Sequence, residues 1–223
     1  MRKMGGRLLK IETVIFDLDG TLIDSGRDIV NSVNKTLENF NIPTLSEEVI
    51  LSYVGEGVEL LIERSIKEEN MYRFEDILKF YVSAYNEECI KSTSLFPGVE
   101  KVLKELKENN IKVTLATNKS VEFIEKILSN MDILKYFHVV MGPENVTKRK
   151  PDPEIVHKIL EEVDGEHNST LIVGDSKFDM ICGKNAGIYT CGVTYGIGSI
   201  ESLIDSDADF LIHGIEKLLL LVL

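Results

Sequence analysis

A chain of 223 residues is long enough for one large domain, or for a domain carrying a smaller insertion. Its hydrophobic share of 43% and near-zero mean hydropathy are those of an ordinary globular protein, not a fibrous or disordered one. The formal net charge of −12 argues against a nucleic-acid backbone or an anionic membrane as partner, yet leaves an anionic small molecule open, since one metal ion and a few local cations reverse the sign of a single pocket.

In chain order, the opening MRKMGGRLLK is basic without an apolar core, which is not the pattern of a secretory signal. Next comes TVIFDLD (13–19), an apolar, β-branched run that reads as a buried strand and ends in two carboxylates, Asp17 and Asp19, with Gly20 and Thr21 as a turn. From 26 to 91 strand signals almost vanish. That stretch divides at Asn41–Pro43, near Gly55–Gly57 and around Asn70 into about four helical segments. Pro97-Gly98 marks a turn, after which Val99, Val102, Leu103 and Leu106 stand at i, i+3, i+4 and i+7 of a helix over 99–109. Strand-like runs KVTLATN (112–118), FHVVMG (137–142), TLIVGD (170–175), YTCGVTYG (189–196) and, more weakly, ADFLIHG (208–214) follow. Helical patterns fill 120–130 (Val121, Ile124, Leu128) and 154–163 (Ile155, Ile159, Leu160), and another helix begins near Lys177.

Strands alternating with helices of this length predict an α/β fold with a doubly wound, mostly parallel, Rossmann-like sheet. The expected division is a core of residues 1–25 and 92–223 with a helical cap domain, 26–91, inserted after the first strand. The final LLLLVL is far short of the ~20 residues that span a bilayer and is expected to dock as the end of a helix or strand. Cys89, Cys182 and Cys191 lack metal-site or disulfide spacing and read as buried or incidental thiols. The expectation is a cytoplasmic protein, monomer or homodimer, with neither membrane nor nucleic acid as partner.

Ligands of open parallel sheets bind beyond the carboxyl ends of the strands, so polar residues at those ends deserve weight. The first run ends in Asp17 and Asp19, the second in Thr117-Asn118-Lys119. After the third comes KRKPDP with Lys150, and the fourth ends in Gly174-Asp175-Ser176, with Asp179 four residues on. Singly, each has a plain explanation as a turn former, helix cap or solvated charge. Together, in this order, they resemble the four motifs of the haloacid dehalogenase superfamily: DLDGT (17–21), TN, KPDP and GDSKFD (174–179). The helical insertion sits where that family places its cap. LIDSGRDI and YVGEGVELLIERSI (53–66) are closer still to phosphoglycolate phosphatases.

The resemblance implies a Mg²⁺-dependent phosphatase acting on a small phosphorylated metabolite, with 2-phosphoglycolate as the expected substrate and an aspartyl-phosphate intermediate on Asp17. A phosphomutase of the β-phosphoglucomutase type, or a pyrophosphatase of the same superfamily, shares much of the pattern and stays open. By the same resemblance Asp19 is general acid and then general base. Thr117, Asn118 and Lys150 bind the substrate, while the Asp17 carboxylate, the Asp19 backbone carbonyl and Asp175 hold the metal, with Asp179 supporting from behind. Lys119 and Lys148 stand near the third motif's lysine without matching its position. The i, i+2 spacing of the two acids requires the backbone to bend after Leu18 if their carboxylates are to face different atoms. Gly55-Glu56-Gly57 is either a backbone-first approach to the substrate or a turn starting a helix, and Arg27 and Arg64 are weaker candidates for anion contacts. Phe178 and Cys182-Gly183 depart from the family pattern and put local packing in doubt.

Overall fold

The computed structural model describes residues 10–223, so all but the last residue of the basic opening stretch lies outside the described residues. Six strands form one parallel sheet in the order β5-β4-β1-β6-β7-β8. They are β1 (Thr13–Phe16), β4 (Lys112–Ala116), β5 (Val139–Met141), β6 (Thr170–Gly174), β7 (Tyr189–Val193) and β8 (Phe210–Ile212). From β1 the chain order runs outward one way through β4 and β5 and the other way through β6, β7 and β8. The carboxyl end of β1 is therefore the point where the winding reverses, which is where such sheets open a crevice.

All four residues of β1 are buried, as a strand covered on both faces must be. Alternation sends Val14 and Phe16 to one apolar cluster with α5 (Val99–Glu108) and α6 (Val121–Asn130). Ile15 joins the other, with Ile172 and the inner faces of α7 (Glu154–Val163) and α8 (Lys177–Ala186). Helical periodicity located these faces: Val99, Val102, Leu103 and Leu106 of α5 are all buried. Gly183 lets α8 lie close to the sheet, since a Cβ there would meet Ile172 Cγ2 at 2.5 Å and Thr190 Cγ2 at 2.6 Å. Its neighbour Cys182 is buried in the same cluster, which accounts for the departure seen in the sequence. All three cysteines are free and buried, and burial pushes the Cys182 and Cys191 thiols up to about 12.

Between Gly26 and Glu88 the chain forms α1 (Gly26–Asn39), α2 (Glu47–Leu51), α3 (Val58–Ser65), a 3-10 segment (Glu68–Arg73) and α4 (Phe74–Glu88), with α1 packed on α4. The breaks fall where Asn41–Pro43, Gly55–Gly57 and Asn70 placed them. The segments on either side pair as an antiparallel ribbon: β2 (Ile23–Asp24) with β3 (Ser94–Leu95), Ile23 opposite Leu95. Asp28, fully buried in α1, fastens this ribbon by accepting from Ser92 N, Thr93 N and Thr93 Oγ1 at 2.8–3.0 Å.

Other differences are local. β1 stops at Phe16 instead of running to Asp19, because the Leu18 carbonyl collects the N–H groups of Thr21, Leu22 and Ile23 and turns the chain. A short helix, α9 (Ile200–Asp205), follows β7 unannounced by any periodic run. The C-terminal leucines form a 3-10 turn (Ile215–Leu218) and α10 (Leu219–Val222), docked by Ile215 and Leu218, while Leu220 and Leu223 are exposed. No helix among the described residues is long and apolar enough to cross a membrane.

Candidate active site

Asp17 is the first residue past β1, held in line by its N–H donating to Val173 O at 2.9 Å. Two residues on, the chain bends as the spacing of the two acids requires. Gly20 takes φ +81°, and a Cβ on it would lie 2.0 Å from Asp175 Oδ2, so only glycine closes this turn against the neighbouring strand end. The Asp17 and Asp19 side chains consequently meet different partners.

Asp17 Oδ1 accepts from Lys150 Nζ at 2.7 Å. The same ammonium donates to Asp179 Oδ1 at 2.6 Å and to the Ala116 carbonyl at 2.7 Å, so all three of its N–H bonds are directed. Burial works against the Lys150 charge, but Asp17 and Asp179 together outweigh it and raise its pKa above the ordinary lysine value. Asp179 is fixed from the other side, its Oδ2 accepting from Ser176 N and Oγ in a capping box that starts α8.

Asp175 follows β6, and its Oδ2 accepts from Ile197 N at 2.8 Å and Gly198 N at 2.9 Å. Its Oδ1 makes no hydrogen bond among the described residues. Burial pushes the Asp17 carboxyl up to about 7 and that of Asp175 up to about 8, with neighbouring carboxylates adding to the rise and Lys150 pulling Asp17 the other way.

Thr117 follows β4, buried, its Oγ1 accepting from Lys119 N at 3.1 Å with its O–H left to donate. Asn118 uses its amide on backbone: Nδ2 donates to Gly55 O (2.9 Å) and Lys150 O (3.1 Å), and Oδ1 accepts from Lys150 N (3.1 Å). It therefore holds the Lys150 loop and the Gly55 turn at once. Asp19 binds Ser25 Oγ at 2.5 Å and Lys119 Nζ at 2.9 and 3.0 Å, and Lys119 also donates to Tyr85 Oη of α4 at 2.6 Å.

A cavity of about 580 Å³ lies between this sheet edge and the inserted helices. Asp17, Asp19, Thr117, Asn118, Lys150 and Asp175 all line it, while Asp179 stands behind Lys150. Gly55 and Gly57 reach its wall, and Gly57 is also the residue from which α3 starts. Phe178 lines the cavity close to Gly55, where a Cβ would be 3.6 Å from its ring. Neither Arg27 nor Arg64 lines it, and Arg64 is paired with Glu56 at 2.6 Å. Lys148 points to Asp152 on the exposed surface. Residues the motif reading did not assign are Ser25, Tyr85, Ile197, Gly198 and the Arg149–Glu59 pair (2.5 and 2.9 Å) that joins α3 to the Lys150 loop. The glycines of YGIGS, at the end of a strand run, were the available signal for Ile197 and Gly198.

Ligand oxygens of Asp17, Asp175 and Asp179 lie within 4.8 Å of one another. Among the described residues Asp17, Asp19 and Asp179 are paired with Lys119 and Lys150, so that with Asp175 the four acids exceed these two ammonium groups by two charges when all are ionised. An all-oxygen donor set with that surplus suits a small, hard divalent cation.

The sequence matches the haloacid dehalogenase-like hydrolase family over residues 14–193. It is 32% identical over 217 residues to a phosphoglycolate phosphatase of Vibrio parahaemolyticus, covering 94% of this chain and 95% of that protein. A phosphoglycolate phosphatase of Vibrio cholerae is likewise 32% identical over 220 residues, covering 96% and 97%. Among solved structures, a predicted phosphoglycolate phosphatase of Haemophilus somnus superposes with a TM-score of 0.88 at 25% identity, over 94% of this chain and 96% of that one. With a full-length match to curated phosphatases and the family's fold, the chain belongs to the haloacid dehalogenase-like hydrolases and is a phosphoric monoester hydrolase among them.

Proposed function

We propose that this hydrolase is a Mg²⁺-dependent phosphatase for a small phosphomonoester, 2-phosphoglycolate being the favoured substrate, and that it works through an aspartyl-phosphate on Asp17. The observation that carries the reading is the meeting of Asp17, Asp19, Lys150 and Asp175 on one cavity wall. Phosphoryl transfer asks chiefly for alignment and charge neutralisation, which these groups supply. The Asp17 and Asp175 carboxylates, with the Asp19 carbonyl, would hold the ion, which when bound neutralises phosphate charge and screens Asp17 from the anionic substrate.

In the first half-reaction an Asp17 carboxylate oxygen attacks phosphorus and the ester P–O bond breaks, its oxygen taking the proton of Asp19. In the second, the Asp19 carboxylate takes a proton from water, whose oxygen attacks phosphorus and breaks the bond to Asp17, releasing phosphate. Lys150 balances the phosphoryl oxygens, with its position fixed by Asn118 and Asp179. Thr117 donates its hydroxyl to one of those oxygens. Residues 26–91 serve as a cap over the cavity, excluding water and choosing the leaving group.

Phosphate release from 2-phosphoglycolate, pyrophosphate and sugar phosphates, with Mg²⁺ and with EDTA, tests the proposal. The expected result is preference for 2-phosphoglycolate and loss of turnover in EDTA. Isomerisation of a sugar phosphate without phosphate release, or full turnover in EDTA, would overturn it.

A further inference from the structure

The cavity wall holds a cation that the proposed chemistry leaves unassigned. Lys119 is almost wholly buried, its side chain 6% exposed, and pairs with Asp19, whereas Lys150 pairs with Asp17 and Asp179. Among the described residues, the helices between 26 and 91 contribute no lysine or arginine to the wall. What they contribute is largely apolar or aromatic (Leu51, Val58, Leu61, Tyr81) together with one acid, Glu48. Of the three lysines on the wall, Lys150 is fully engaged by Asp17, Asp179 and Ala116, and Lys177 is exposed at the start of α8. A second negative charge on the leaving group would therefore find one buried cation on its own side of the cavity.

We propose that Lys119 is the specificity-determining residue: its ammonium receives a carboxylate carried by the carbon next to the ester oxygen, with the Tyr85 hydroxyl holding it at that place. The inference rests on the phosphatase reading and deepens it. The geometry provides a donor for this. Lys119 straddles both Asp19 oxygens at 2.9 and 3.0 Å, and turning to a single Asp19 oxygen frees one N–H while its bond to Tyr85 Oη at 2.6 Å stays.

The test compares 2-phosphoglycolate with its uncharged amide, 2-phosphoglycolamide, in the full-length Mg²⁺-loaded enzyme, with p-nitrophenyl phosphate as the basal substrate. Wild type is expected to prefer the acid in kcat/KM. Lys119→Met should lower that acid-to-amide ratio by roughly 10–100-fold, mainly through KM for the acid. Lys119→Arg should recover part of the ratio. Tyr85→Phe, which keeps the ring and so covers the case of a misfolded Lys119 variant, should lower it by roughly 2–10-fold. Equal losses on acid and amide would reduce Lys119 to a support of Asp19 and overturn the proposal. A wild type indifferent to the charge, or a ratio that follows Lys177→Met instead, would overturn it too. If wild type hydrolyses p-nitrophenyl phosphate in any of these cases, the phosphatase reading survives; no release from any of the three substrates would remove both.

Discussion

Lys150 Nζ sits 2.7 Å from Asp17 Oδ1, joining the end of β1 to a loop 133 residues later in the chain. With Asp179 and the Ala116 carbonyl also in its reach, the ammonium has a fixed place and no spare N–H. Lys150→Met should lower kcat/KM for any phosphoester by on the order of 10²–10³-fold. Lys150→Arg should rescue little, since a planar guanidinium does not reproduce three donors converging on a point. Steady-state phosphate release decides the matter, and good rescue by arginine would count against so tight a fit.

Asp17→Asn should bring turnover to background while leaving the fold intact, because the amide keeps the shape but is a poor nucleophile. Circular dichroism and phosphate release on the same sample separate the two effects. Appreciable residual turnover would exclude Asp17 as the phosphoryl acceptor.

Asp19→Asn should cost ~10²–10⁴-fold with alkyl phosphates and distinctly less with aryl phosphates, whose leaving groups need no proton. Uniform losses across a leaving-group series would refute the acid role.

Asp17 and Asp175 give the metal-free protein a specific pH dependence. Burial raises both carboxyls from the ordinary value of 3.8 to about 7 and about 8, so the folded state binds protons more tightly than the unfolded one. This contribution to stability is greatest below about pH 4, falls as pH rises through about 7 to 8, and is flat above. Divalent cation should offset the loss. The rise in melting temperature on adding Mg²⁺ is therefore expected to be larger at pH 8.5 than at pH 5.5. Equal rises at the two pH values would contradict this account.

Asp28→Ala should destabilise the protein by about 3 kcal/mol in urea unfolding, because it removes the buried carboxylate on which Ser92 and Thr93 fasten the β2–β3 ribbon. A change below about 1 kcal/mol, the size of a single ordinary hydrogen bond, would show that water replaces Asp28 there.

What could be read in the sequence follows from periodicity and from strand ends. The buried strands of the sheet announce themselves because both faces are covered and their residues run apolar, as in Val14–Phe16 and Leu171–Val173. Asp17, Thr117, Asn118 and Asp175 could be found because each stands just past such a run, whereas Lys150 lies farther along its loop and was marked by KPDP. Ile23–Asp24 and Ser94–Leu95 escaped notice because strands of two residues have no period to display. Ser25 and Tyr85 escaped because their significance lies in contacts with Asp19 and with Lys119, 34 residues beyond Tyr85, which depend on how the inserted helices lie on the sheet. Asn118 was legible as a position and not as a partner: no spacing rule tells an amide that faces a ligand from one that ties two backbone segments together.

The central place of β1 also orders events in time. Thr13 pairs with Lys112 on one side and Thr170 on the other, 99 and 157 positions later. As the chain leaves the ribosome, the segment bearing both acids emerges first and waits for its two neighbours, the second arriving only after most of the protein exists. Until β6 arrives, one long edge of β1 has unpaired amides and a bare apolar flank, a slow, long-range closure by the standards of chain topology. The first strand of the sheet is thus enclosed only once β6 has been made, and a chain cut short before residue 170 would present it as an adhesive edge.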